Sequence, residues 1–119
     1  MRLLPATDAV WRVIDRYGAL EATTTRLADG TGEAHVHLVR IGPGGIIDRH
    51  EAGFGQLWVP LVGTGWISGG GGVRHEIGPG AVALIERGEQ HAKGSETGMT
   101  ALMVQIHDLT AIGEVPDGP

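Results

Sequence analysis

The sequence contains no cysteine among its 119 residues. Disulfide bonds, a thiolate nucleophile and thiolate-bound zinc or iron–sulfur centres are therefore excluded. If the protein binds a metal ion, the ligands must be histidine, carboxylate or amide groups.

The chain also has no excess of basic residues and no long apolar run. Its 9 Lys and Arg residues are outnumbered by 14 Asp and Glu residues, which gives a formal net charge of −5. This balance disfavours binding to nucleic acid or to anionic lipid surfaces. No apolar stretch reaches the roughly 18–20 residues of a membrane span, and the first residues, MRLLPATDAVW, have no signal-peptide core. We therefore expect a cytoplasmic protein with neither a nucleic-acid nor a membrane partner.

Glycine, in contrast, is abundant: 21 of the 119 residues are Gly, and most lie between Gly42 and Gly98. Because helix interiors tolerate glycine poorly, this region should be rich in turns. Short apolar runs such as HVHLVRI, VRHEI, AVALI and TALMVQIHDL alternate with Gly/Pro turns, and no window after residue 34 has a helical period. The pattern predicts one all-β sandwich or barrel domain over residues 1–119, with residues 110–119 as a flexible tail.

The N-terminal region allows two interpretations. Thr7 to Tyr17 could form a short amphipathic helix, because Val10, Trp11 and Ile14 recur at offsets of three and four. The segment WRVID, however, alternates as a strand does. We therefore expect a short strand or helix here, with the later ADGTG segment forming a turn.

Side-chain alternation along strands assigns a face to several histidines. His75 should point inward because its charged neighbours in VRHEI should face solvent. His35 and His37 share a face of HVHLVRI that we expect to be interior, because the arginine of that run lies on the other face. The face of His107 in the last strand stays open. Up to five of the six histidines could converge on one interior, more than core packing requires.

Two patterns of glycine and histidine have regular spacing. In the first, gaps of five, one, three and six residues separate Gly44, His50, Ala52, Gln56 and Gly63. In the second, gaps of five, one, two and three residues separate Gly80, Glu86, Gly88, His91 and Ser95.

These patterns resemble the two motifs of the cupin family, which are small antiparallel β-barrels. The family has a second histidine where this chain has Ala52 and a glutamate where it has Gln56. In the second motif, His91 and both glycines match, whereas the family's proline and asparagine are replaced. The resemblance covers about residues 34–109 and implies an all-β double-stranded β-helix, or jelly-roll barrel.

The resemblance also implies a divalent metal ion in the barrel interior, with Fe, Zn, Ni or Mn as candidates. By position its ligands are His50, Gln56 and His91, because imidazole nitrogens and amide oxygens can bind divalent first-row metals. Asp48, two residues before His50, would add a carboxylate. Further imidazole candidates are His37, His75 and His107.

Two aromatic residues are candidates for lining the pocket. Trp58 is two residues beyond Gln56 and therefore on the same strand face. Phe54, in the loop after His50, could close over the pocket mouth. Both have a plain alternative, because each could simply pack in the core or anchor a loop.

Three functions remain open at this stage. The first is a metal-binding cupin that acts on a small oxygenated organic molecule as a dioxygenase, isomerase, decarboxylase or polyketide-cyclase-like enzyme. The second is a metal-free small-molecule-binding cupin without turnover, favoured by Ala52 and Gln56. The third is a structural dimer with a water-filled interior. A homodimer is expected in each case, because apolar strands with exposed edges need covering.

Overall fold

The computed structural model describes residues 1–111, which form eleven β-strands and one short 3₁₀-helix. The helix, Ala6–Asp8, follows the first strand. The strands are β1 Arg2–Pro5, β2 Arg12–Val13, β3 Thr23–Thr24, β4 Ala28–Ile41, β5 Gly45–Glu51, β6 Gly55–Gly63, β7 Gly65–Ser68, β8 Arg74–Ile77, β9 Ala81–Ile85, β10 Gln90–Ser95 and β11 Met99–Ala111. Strand β11 thus includes the first two residues of the predicted tail, and the remaining tail residues, 112–119, lie outside the described part of the chain.

The strands form two main antiparallel sheets, so the prediction of an all-β barrel is confirmed. The larger sheet has the order β1-β9-β6-β11-β4, and the smaller has the order β5-β10-β7-β8. Strands β2 and β3 form a separate two-stranded ribbon. Within residues 1–111, none of the helices is long and apolar enough to cross a membrane.

The main core fills the space between the two sheets. The larger sheet contributes Trp58, Ala83 and Ile85, and the smaller contributes Ile67 and Ile77, all of them buried. Burial of each large apolar side chain contributes about 1.5–3 kcal/mol to stability. The core therefore fixes both sheets against each other and orients the polar side chains that share their inner faces.

Strands β6 and β7 show how one apolar run serves both sheets. The sequence GQLWVPLVGTGWIS forms a strand in the larger sheet and a second strand in the smaller one. The break lies at Gly63, whose φ is +74°, a left-handed conformation that glycine adopts most easily. A Cβ atom there would also lie 3.2 Å from Cα of Met99. Glycine at this position lets the chain pass from one sheet to the other.

The expected turn at ADGTG is wrong, because this segment is the beginning of β4. Gly32 has a φ of +90°, and the β4–β11 register shifts between Ile106 and Asp108. The glycine therefore produces a β-bulge, and the strand continues past it instead of reversing.

The N-terminal helix interpretation is also wrong, and the strand interpretation holds for Arg12–Val13. The apolar residues of the supposed helix face remain exposed: Val10 to 53%, Trp11 to 49% and Tyr17 to 92%. Tyr17 also has a φ of +59°, which a right-handed helix cannot contain. With no surface to cover these side chains, a helix here would gain little from packing.

Candidate functional site in the barrel interior

His50 and His91 lie side by side on neighbouring strands. They are directly opposite each other in the antiparallel β5–β10 pair, and their ring centroids are 4.4 Å apart. The Nδ1 atom of His50, which is exposed, donates to the backbone carbonyl of Asp48 at 2.8 Å. His91 is only 1% exposed, and neither of its ring nitrogens has a hydrogen-bond partner. The structure thus brings the two motif histidines together in different environments.

The interior strongly disfavours a charge on His91. Burial, the nearby charge of Lys93 and the neighbouring His50 together lower the pKa of His91 to about 3. The ring is therefore neutral at physiological pH and has one donor nitrogen and one acceptor nitrogen. Both of these nitrogens are without a protein partner in residues 1–111.

Lys93 is an interior residue that the sequence analysis did not identify. Its side chain is buried, its Nζ donates to Oε1 of Gln56, and Nζ lies 4.5 Å from the centroid of the Trp58 ring. Burial lowers the pKa of Lys93 to about 7. Because β10 and β6 belong to different sheets, this hydrogen bond crosses the barrel interior.

A sequence signal for Lys93 was present. Lys93 is two residues after His91 in the same strand and therefore shares its face. Because lysine is rarely buried, its position on this face did not by itself predict a buried side chain. Gln56 and Trp58 do lie where the sequence placed them, on the inner face of β6, and both are buried.

Asp48 does not share the face of His50, because a bulge intervenes. His50 lies opposite His91 and Ile47 lies opposite Lys93, so β5 has one more residue than β10 in this interval. The extra residue breaks the alternation of side chains. Asp48 is exposed, and its carboxylate accepts a hydrogen bond from the backbone N–H of Arg49 at 2.7 Å.

Within residues 1–111, none of the other histidines makes a ring contact with His50 or His91. His35 and His37 are on the inner face of β4, opposite Gln105 and Met103 of β11, and both are exposed. His75 is in β8, opposite Ile67 and two strands from β10.

Phe54 lies among a second group of rings. Its ring is edge-on to two histidine rings, with centroids 5.6 Å from that of His35 and 5.4 Å from that of His107. His107 accepts a hydrogen bond from the guanidinium of Arg87 and donates to the carboxylate of Asp108 at 3.0 Å. This hydrogen bond from His107, together with the nearby positive charge of Arg87, lowers the pKa of Asp108. The partners of His107 are thus Arg87, Asp108 and Phe54.

The interior residues do not fit the metal site that the motifs imply. No group of three or more His, Asp or Glu side chains in residues 1–111 is arranged to hold a metal ion. Ala52, at the position of the family's second histidine, has no ligand atom. The Gln56 oxygen accepts a hydrogen bond from Lys93. Only two imidazoles remain, next to a cationic side chain that would repel a metal ion.

Comparison with known proteins identifies the fold. No protein-family model and no curated protein sequence matches the chain. Solved structures do match it. A cupin superfamily protein from Desulfitobacterium hafniense is 17% identical, with a TM-score of 0.59, and the match covers 75% of this chain and 84% of that one. A predicted oxalate decarboxylase from Thermotoga maritima is 24% identical, with a TM-score of 0.55, and the match covers 60% of this chain and 64% of that one. The DMSP lyase DddQ from Ruegeria pomeroyi also matches, with 20% identity and a TM-score of 0.57, over 84% of this chain and 57% of that one. The chain spans less than two thirds of the decarboxylase and of the lyase. It has the cupin fold, a double-stranded β-helix.

Proposed function

We propose that this cupin barrel binds a small oxygenated organic molecule, without a resident metal ion, at the interior site formed by His50, His91 and Lys93. One observation carries the proposal. Both ring nitrogens of His91 are buried without a partner, whereas nearly all buried polar atoms in proteins have one. A ligand with a hydroxyl or carboxyl group would supply both the acceptor and the donor that a neutral imidazole needs.

The surrounding residues support binding at this place. The exposed His50 ring contacts the buried His91 ring. Trp58, which is fully buried, gives the interior a rigid apolar wall. The site therefore combines an apolar wall with a few polar groups, as small-molecule sites usually do.

The similar structures are consistent with small-molecule chemistry. Two of them are named for oxalate and for DMSP, both small molecules. Because fold alone does not determine activity, these names do not fix a reaction for this chain. Binding of a small molecule is the property that this chain's own residues support.

The rival function is a metal-dependent cupin enzyme that acts on a small oxygenated molecule. The 4.4 Å separation of the His50 and His91 rings favours it, because two imidazoles could share one ion. A bound ion would polarise a carbonyl or enolate oxygen. The lack of a third histidine or carboxylate in the described residues opposes it.

Metal content distinguishes the two functions. Protein purified without a histidine tag is loaded with iron, zinc, nickel or manganese, desalted and measured by mass spectrometry beside a His50→Ala, His91→Ala double variant. We expect the same background metal content in both proteins. We also expect an NMR screen of small oxygenated molecules to give ligands that are lost in His91→Phe. Near-stoichiometric metal that disappears in the double variant would establish the rival function.

We also propose that two copies of the chain pair through the outer face of the larger sheet. Val36 and Leu38 of the edge strand β4 point away from the interior and are 65% and 71% exposed. On the neighbouring strand β11, Val104 lies opposite Val36 and Leu102 lies opposite Leu38. The same face ends at Arg40, and a basic and apolar face can meet its own copy with less repulsion than acidic surfaces of two chains that each have a net charge of −5.

A further inference from the structure

The barrel interior contains a lysine that is charged below its lowered pKa of about 7 and that has no counter-ion within residues 1–111. Lys93 is the only lysine of the chain, since all other basic residues are arginines. It is 2% exposed, although lysine is among the residues least often buried. No carboxylate within residues 1–111 forms an ion pair with it, and its polar partner is the neutral amide of Gln56. A buried ammonium without a counter-ion is costly for the fold.

The contacts of Lys93 position the amine without neutralising it. An ammonium group has three donors, and Gln56 accepts from one of them. The aromatic face of Trp58 interacts favourably with a positive charge but adds no negative charge. Donor capacity and positive charge both remain available to a ligand in the interior.

Gln56 is informative because of what it replaces. A glutamate at this position would form an ion pair with Lys93 and cancel its charge. The amide keeps the hydrogen bond and leaves the charge uncompensated. His91, two residues away on the same strand, adds a neutral ring with both nitrogens unpaired. The two side chains together offer a cation and neutral hydrogen-bonding groups on one strand face.

We propose that Lys93 is a built-in cation of this barrel and that the ligand is a small organic oxyanion, such as a carboxylate, whose charge Lys93 neutralises. The inference rests on the proposed small-molecule function and specifies its ligand class. A side chain thus supplies the positive charge that a metal ion would otherwise bring to the same interior.

The single lysine permits a direct experiment. Protein labelled with ¹³C at the lysine side chain gives one Lys93 signal by NMR. Metal-free protein at pH 6, where Lys93 with its pKa of about 7 is mostly protonated, is titrated with oxalate, malonate and inorganic phosphate, and with the neutral diamides oxamide and malonamide. We expect at least one of the three oxyanions to shift the Lys93 signal saturably at millimolar concentration, and the diamides to leave it unchanged.

Variants separate the charge of Lys93 from its shape. In Lys93→Met, which keeps a similar length without charge, we expect oxyanion binding measured by calorimetry to weaken at least about tenfold. Arg74→Gln, which removes an exposed cation that lies over Trp66, should bind as the wild type does.

Three results would overturn the inference: no shift with any of the three oxyanions, equal affinity for the diamides, or unchanged oxyanion binding in Lys93→Met. Equal binding of neutral molecules would leave the proposed binding function intact. Stoichiometric metal held by His50 and His91 would instead remove the proposed function itself.

Discussion

The rings of His50 and His91 lie 4.4 Å apart, yet only His50 makes a hydrogen bond. Nδ1 of His50 donates to the carbonyl of Asp48, two residues before it and within the bulged part of β5. His91 has no such neighbour and is enclosed by the barrel. One histidine is therefore exposed and held by the backbone, and the other is buried with both ring nitrogens unpaired.

The first prediction is that His91 stays neutral in mildly acidic solution. Because its pKa is lowered to about 3, its two ring ¹⁵N shifts should remain those of one protonated and one unprotonated nitrogen between about pH 4.5 and 8. The measurement is a long-range ¹H–¹⁵N NMR spectrum, with His91→Gln used to assign the signals. A His91 titration centred near the ordinary value of 6.5 would contradict the buried, charge-excluding environment.

The second prediction concerns Lys93 and the stability of the fold. Burial lowers its pKa from 10.5 to about 7, so between these values the unfolded chain binds one more proton than the folded one. The free energy of unfolding should therefore rise with pH over this range by up to about 1.4 kcal/mol per pH unit. In Lys93→Met this pH dependence of the free energy of unfolding should vanish. At pH 7 the variant should be more stable than the wild type by about 1–3 kcal/mol, a net gain that already includes the loss of the hydrogen bond to Gln56.

Urea denaturation of both proteins at several pH values tests this. The informative quantity is the difference between the two proteins, because every other titrating group is common to both. Parallel pH profiles, or a variant less stable than the wild type at pH 7, would mean that the lysine is not held as an unfavourable buried cation.

The third prediction is a gain of metal binding. The substitutions Ala52→His and Gln56→Glu restore an imidazole and a carboxylate, and Lys93→Met removes the cation that repels a metal ion. We expect the triple variant to bind nickel or zinc more tightly than the wild type by more than about 100-fold, since even changes outside the direct ligands alter metal affinity by 10–100-fold. Calorimetry with each metal gives the affinities.

The control for this gain is the same triple variant with His91→Phe added. Metal binding should then fall back to the wild-type level, because one of the two original imidazoles is lost. If the triple variant binds no more tightly than the wild type, the barrel interior does not bring these four positions to one point.

The sequence predicted the barrel well because the signals were local and repeated. Runs such as AVALI and VRHEI became strands, and the two glycine–histidine patterns brought His50 and His91 together. Failures occurred where one residue changed the alternation. The bulge in β5 moved Asp48 out of the site, and Gly32 continued β4 where a turn was expected. Such irregularities depend on pairing between distant strands, which no local pattern contains.

Lys93 shows a different limit. Its position two residues after His91 placed it on the inner face, but whether a lysine is buried depends on partners from the other sheet. Only the folded chain brings Gln56 and Trp58 to it. The most informative residue of the site was thus determined by tertiary contacts.

The fourth prediction tests the outer face of the smaller sheet. The indole of Trp66 lies against Gly94 of the neighbouring strand, and a Cβ atom at Gly94 would lie 2.6 Å from Nε1 of Trp66. Gly94→Ala should therefore reduce the free energy of unfolding by about 1–3 kcal/mol, the usual cost of overpacking. Gly71→Ala is the control, since nothing lies within 4 Å of its added Cβ. If the clash is the cause, Trp66→Ala should remove most of the effect of Gly94→Ala, as a urea-denaturation double-mutant cycle would show.

The last prediction concerns the proposed homodimer. Leu38 points outward because its neighbour Val39 packs against the core, and its side chain is 71% exposed. In a two-fold dimer each copy presents the same patch, so a single Leu38→Glu substitution places two buried charges in the interface. We expect light scattering after size-exclusion chromatography to show a dimer for the wild type and a monomer for Leu38→Glu. Val13→Glu, which changes an apolar side chain that is 75% exposed in β2, should stay dimeric. A monomeric wild type, or a Leu38→Glu variant that still pairs, would show that this face is not where two copies meet.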